Sequence, residues 1–140
     1  MAEIRWLPTL LLCGCVSVSD GPASVPPYVS IIQLVANPDR YHLTVVQIEG
    51  YATLRHEGNQ LCPVEKPGST KDCVWLQYDD GPYESDADLA RFDRAKARWE
   101  REFNGKRISV VGTFNRGLMG HENLWSGGIE KIRRVLDLHF

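Results

Sequence analysis

The 140-residue sequence predicts a mainly β domain: five strands, with one long helix between the third and fourth and one short helix ahead of the first. Three observations carry this expectation. Short runs that alternate apolar and polar side chains, rich in Val, Ile and aromatic residues, recur along residues 43–136 with the period of half-buried strands. One stretch, residues 85–103, instead has apolar residues on a helical stripe. Finally, YHLTVVQIEG at 41–50 has an echo 62 residues later in FNGKRISVVG at 103–112. Each copy starts on an aromatic residue, alternates through β-branched positions and stops on a glycine. At 43% hydrophobic residues the chain can build one core, and it is too short for two comfortable domains.

The folded domain is expected over residues 30–140, because the residues ahead of it read differently. Residues 1–15, MAEIRWLPTLLLCGC, combine Arg5, an apolar run over 6–12 and a cysteine behind a small residue. This ending resembles the lipobox of bacterial lipoproteins, with Leu12 three residues and Gly14 one residue before Cys15, which would carry the lipid after cleavage. Residues 16–29, VSVSDGPASVPPYV, are a Ser/Pro/Gly/Val stretch with little charge and read as a flexible tether. Val16, not an aspartate, follows Cys15, which under the sorting rule of Gram-negative lipoproteins implies a periplasmic domain anchored at the outer membrane. The other reading is a hydrophobic N-terminal strand of a cytoplasmic protein. A spanning helix would need about 20 apolar residues, far more than this run supplies. With the leader removed and Cys15 acylated, Cys62 and Cys73 remain as an even pair, either a disulfide or two reduced thiols.

Residues 30–36 predict the short helix, since Ser30 and Gln33 have capping-box spacing and Ile31, Leu34 and Val35 share a face. Asn37-Pro38 is expected to stop it. Strand one spans 43–55, with Val46 and Ile48 alternating against Gln47 and Glu49. HEGN at 56–59 is a hairpin turn in which Gly58 and Asn59 can take positive φ. Strand two, 60–65, is weakened by Pro63, and a polar loop over 66–72 leads to strand three at 73–78.

The long helix follows at 85–103. Ser85 is its N-cap, Asp86 and Asp88 sit in the first turn, and Leu89, Phe92, Ala95, Trp99 and Phe103 form a packing stripe. Its basic residues read as a solvated face. Asn104-Gly105 supplies C-cap chemistry. Strand four covers 106–116, a loop covers 117–123, and strand five covers 124–136.

This element order is that of the OB fold, a five-stranded Greek-key barrel with its helix between strands three and four. The phrases NPDRY, VQIEGY, NGKRISVVGTF and GGIEKI resemble those of small bacterial exported OB-fold proteins of the tRNA-anticodon-binding-like type, over about residues 30–135. The resemblance implies a non-catalytic binding or assembly module with a protein or small-molecule partner. It also implies a ligand face on strands two and three with the loops 56–59 and 117–123, where Arg55, Trp75, Arg116 and His121 are the candidate residues. In such a barrel Gly50 and Gly112 would be the bends of strands one and four, with Val46, Ile48, Ile108 and Val110 pointing inward.

Other chemistries find less support. No CxxC, HxxxH or HExxH spacing offers a metal site, and no Walker or dinucleotide pattern offers a cofactor cradle, so neither metal nor cofactor is expected. No GxSxG occurs; GHEN at 120–123 puts the His121 imidazole beside a carboxylate, the basis of a hydrolase-like alternative. Single-stranded nucleic acid is a second alternative, with Tyr51, Trp75 and Tyr78 for stacking and Arg107, Arg116, Lys131, Arg133 and Arg134 for charge. A net charge of −2, with Glu49, Glu122, Glu130 and Asp137 among those bases, disfavours it.

Overall fold

The computed structural model describes residues 24–78, 81 and 83–138. The signal segment, Cys15 and the tether up to residue 23 lie outside the described residues. Helix α1 (Ile31–Ala36) is closed by the expected capping box: Ser30 Oγ accepts from the Gln33 amide, and the Gln33 side chain accepts from the Ser30 amide. Ile31 and Leu34 are buried beneath it. The chain does not go straight to a strand at Asn37-Pro38 as expected. Pro38 opens a second helical turn, α2 (Pro38–Tyr41), since proline lacks the N–H that a first helical position leaves unpaired.

Strands β1 (Val45–Thr53), β2 (Gln60–Cys62), β3 (Val74–Leu76), β4 (Arg107–Asn115) and β5 (Gly128–Asp137) close a barrel in the order β1-β2-β3-β5-β4. β3 and β5 run parallel, and the other neighbouring pairs are antiparallel. Helix α3 (Asp86–Phe103) lies between β3 and β4 in the chain, capped by Ser85, whose Oγ accepts from the Asp88 amide. At its other end Gly105 takes the left-handed φ of 76°. There Asn104 Oδ1 accepts from the Leu54 amide at 2.8 Å, tying the helix end to the end of β1.

The two echoed decamers fold into strands that pair with each other. Ile48 stands directly opposite Val110, its counterpart in the echo, and Gln47 Nε2 donates to Ser109 Oγ, again counterparts 62 residues apart. The echo is therefore a local two-fold relation across the β1–β4 ladder. Val46, Ile48, Ile108 and Val110 are fully buried. Gly112 sits where the β4–β5 register shifts, and a Cβ there would come within 2.5 Å of Ile129 Cγ2. Gly50 lies in an unbroken β1–β4 register, and a Cβ there would meet the Cys62 carbonyl at 2.5 Å and Ile31 Cδ1 at 2.7 Å. Beyond its pairing with β2, the free edge of β1 is covered by the chain ahead of α1. Gln47 N donates to Pro27 O and Val29 N to Gln47 O, each at 2.9 Å, which removes an exposed edge.

Several expected boundaries shift. β2 ends at Cys62, before Pro63, which has no N–H to give a ladder. β5 starts at Gly128, not at 124: His121–Asn123 forms a 3-10 turn, and the following Trp125 is buried as a core residue. In the β1–β2 turn the left-handed residue is Glu57 (φ 55°), not Gly58 or Asn59. Gly58 packs under the Arg55 side chain, where a Cβ would lie 2.8 Å from Arg55 Nε and would displace that exposed side chain. On α3, Leu89 is 50% exposed and leaves the packing stripe to Trp99 and Phe103, which pack against the core.

Candidate functional site

An open cavity of ≈ 560 Å³ lies where the β1–β2 turn, β3, α3 and the β4–β5 loop converge. The turn contributes Glu57, flanked by His56 and the buried Asn59; β3 and its exit contribute Trp75 and Tyr78. One face of α3 supplies Phe92, Asp93 and Lys96, at positions i, i+1 and i+4 on the side turned to the barrel, and the loop supplies His121.

The ring wall is held by contacts on its outer side. Tyr78 stacks on Phe92 with centroids 5.5 Å apart and planes 18° apart, and also meets Trp99 at 5.5 Å. Tyr83 closes on Phe92 edge-on at 4.9 Å. Trp75 meets Trp125 edge-on at 4.9 Å and donates its indole N–H to Gln77 Oε1 at 3.1 Å. The Trp125 indole donates to the buried Gln60 Oε1 at 2.9 Å, so this second ring is satisfied while buried. Gly120, with φ 66°, lies flat on both indoles; a Cβ would come within 2.5 Å of Trp75 and 2.6 Å of Trp125.

The loop carrying His121 is tied down. Thr70 Oγ1 donates to Leu124 O at 2.8 Å, Lys71 Nζ to Asn123 O at 3.1 Å, and Ser126 Oγ to Lys71 O at 2.7 Å. Behind it Cys62 and Cys73 are joined as a disulfide, with Cα atoms 4.4 Å apart, linking the end of β2 to the start of β3. Cys62, Cys73 and Trp125 form a small core of their own, with Trp75 packed against it. Trp75 is thus supported from below by a cross-link and from the side by an indole.

The polar rim centres on Glu57. One of its oxygens lies 3.4 Å from His56 Nε2 and the other 3.4 Å from His121 Nε2, while Glu122 reaches His121 at 3.8 Å. These are ion pairs only when the imidazoles are protonated, and all four side chains are well exposed, so each is weak in water. Among the described residues no three His, Cys, Asp or Glu side chains converge on a metal position.

Of the four candidate ligand residues, Trp75 and His121 line this cavity together. Arg55 lies at the base of the same turn beneath Gly58. Arg116 is elsewhere: its guanidinium is ion-paired with Asp39 of α2, and its amide donates to His42 Nδ1. None of Arg107, Arg116, Lys131, Arg133 and Arg134 lines the cavity, and Arg107 is paired with Glu49 at 3.1 Å. Of the three candidate stacking rings, Trp75 and Tyr78 line the cavity apart from these bases, whereas Tyr51 stands opposite Arg107 across the β1–β4 ladder. Sequence reasoning treated Phe92 only as packing and Lys96 as part of a solvated basic face, included Glu57 in the 56–59 loop without singling it out, and passed over Asp93.

Among the described residues no helix is long and apolar enough to cross a membrane. With fold and cavity in view, the chain matches no protein-family model, no curated protein and no solved structure.

Proposed function

We propose that the chain is an OB-fold Greek-key barrel acting as a non-catalytic binding or assembly module, held in the periplasm at the outer membrane by a lipid on Cys15. The strand order, the parallel β3–β5 closure and the position of α3 between β3 and β4 support the fold. The lipobox-like end of residues 1–15 and the Cys62–Cys73 disulfide support the compartment, since disulfides persist where the surroundings are oxidising.

The observation that carries the binding role is the ring-lined cavity between the β1–β2 turn and the β4–β5 loop. Aromatic walls beside convergent polar groups in a concave site suit small-ligand recognition, and this cavity combines Trp75, Tyr78 and Phe92 with Glu57, Asp93, Lys96 and His121. Among the described residues no serine, threonine or cysteine lines it, and the hydroxyl it holds is the phenol of Tyr78.

The tether is tested by metabolic labelling. Radiolabelled palmitate should enter the native chain and not Cys15→Ser; equal labelling, or none, removes the lipoprotein reading.

A further inference from the structure

The charges around the cavity are unbalanced. Two carboxylates, Glu57 and Asp93, line it against one ammonium, Lys96, which is already directed at Glu100 on the next helical turn at 3.7 Å. The groups facing Glu57 are the imidazoles of His56 and His121, each 3.4 Å from one of its oxygens, and no Lys or Arg ion pair to Glu57 occurs among the described residues. Asp93 is exposed and makes no ion pair or hydrogen bond among the described residues. In the described approach to α3 and its first turn, Glu84, Asp86 and Asp88 are acidic, with Asp88 paired to Arg91 at 3.5 Å.

The rest of the wall is aromatic. Trp75, Tyr78 and Phe92 line one cavity, and the face of an aromatic ring carries the negative side of its quadrupole. Rings beside unneutralised carboxylates suit a positive charge on an apolar stem, with the stem against the rings and the charge at the acids. An anionic ligand would meet repulsion from the same groups. A neutral ligand would gain the stacking and leave the carboxylates uncompensated.

We infer that this cavity binds an organic cation, an alkylammonium or guanidinium group on an apolar stem, with Asp93 and Glu57 as its counter-charges and Trp75, Tyr78 and Phe92 as its walls. This rests on the reading of the cavity as a ligand site. The charge can come from a free amine or from a Lys or Arg side chain of a partner, and the two sources are separable by experiment.

The test is an amide and indole N–H shift titration of the ¹⁵N-labelled chain with four probes. They are N-acetylarginine methylamide, its neutral isostere N-acetylcitrulline methylamide, pentane-1,5-diamine and a short oligothymidylate. The arginine probe or the diamine should move the Trp75 indole N–H and the amides of Asn59, Asp93 and His121, with the citrulline probe about tenfold weaker. A tighter diamine would mark a free amine as the source, and a tighter arginine probe a basic side chain. Asp93→Asn and Glu57→Gln, both exposed positions, should each weaken the cation about three- to tenfold with the rest of the spectrum unchanged. Phe92→Leu should weaken it through the wall alone, with no change of charge. Citrulline binding equal to arginine, or cation binding unchanged in both charge variants, would overturn the cation assignment and leave a binding site in place. A response to the oligothymidylate alone would overturn it in favour of nucleic acid. If none of the four probes moved a cavity resonance, the inference would fall together with the binding-module reading.

Discussion

The barrel interior and the flank where α3 leans on it are built from the same kinds of residue and are covered to different degrees. Inside, Val46, Ile48, Leu61, Val74, Leu76, Ile108, Val110, Phe114 and Ile129 all have no exposed surface. On the flank, Tyr78, Phe92, Trp99 and Phe103 touch ring to ring, yet α3 has no buried residue along its 18-residue length. Closing five strands removes apolar surface from water on every side, whereas laying one helix beside a closed barrel leaves a gap at its rim. Stability therefore resides in the strands, and the incompletely covered rings are what remains available to a ligand.

Phe114→Ala should give the largest effect. Its ring is fully buried within the barrel, and removing it should cost about 4 kcal/mol, read as a lower urea midpoint at unchanged slope. A loss below about 1 kcal/mol would mean that the interior collapses freely around the void and that its dense packing is not what holds the fold. Trp99→Ala should come next, at about 2 kcal/mol, because the ring is only half-buried between Tyr78 and Phe103. If Trp99→Ala matched Phe114→Ala, the flank would belong to the cooperative core, and the contrast between frame and wall would disappear.

How far the sequence exposed this contrast depends on the region. β1 and β4 were legible because runs of β-branched residues are a local signal; β1 alternates through Val46 and Ile48, whereas β4 is buried continuously from Ile108 to Phe114, and both strands run on past their glycines. That the two copies are partners across one ladder was not legible, since pairing is non-local. The start of β5 misled for a backbone reason. Leu124 and Trp125 have strand-like side chains, but Glu122 and Asn123 take left-handed φ and Gly127 a φ of 118°, so the chain turns there before it can extend. The β1–β2 turn misled in the same way, placing its left-handed residue at Glu57 instead of the more permissive Gly58. At the candidate site, Trp75 and His121 were reachable from the resemblance because it specifies which loops meet. Phe92, Asp93 and Lys96 were not, because a helical stripe defines a face without saying what lies opposite it. Arg116 ended elsewhere because its partner, Asp39, belongs to α2, a turn that the Asn37-Pro38 signal had hidden.

The smallest expected effect tests an exposed ion pair of α3. Arg98 and Glu102 pair at 3.0 Å one turn apart, with side chains 70% and 43% exposed. An exposed pair in this spacing should contribute no more than about 0.5 kcal/mol, so Arg98→Ala should leave the unfolding midpoint nearly unchanged. The value of this near-silent mutation lies in its alternative outcome. A cost of about 2 kcal/mol would be beyond what a solvated pair supplies and would mean that the basic face of α3 is covered in solution. The helix would then be packed on both sides, and the incompletely covered wall of the cavity would have to be sought in the barrel loops instead of along α3.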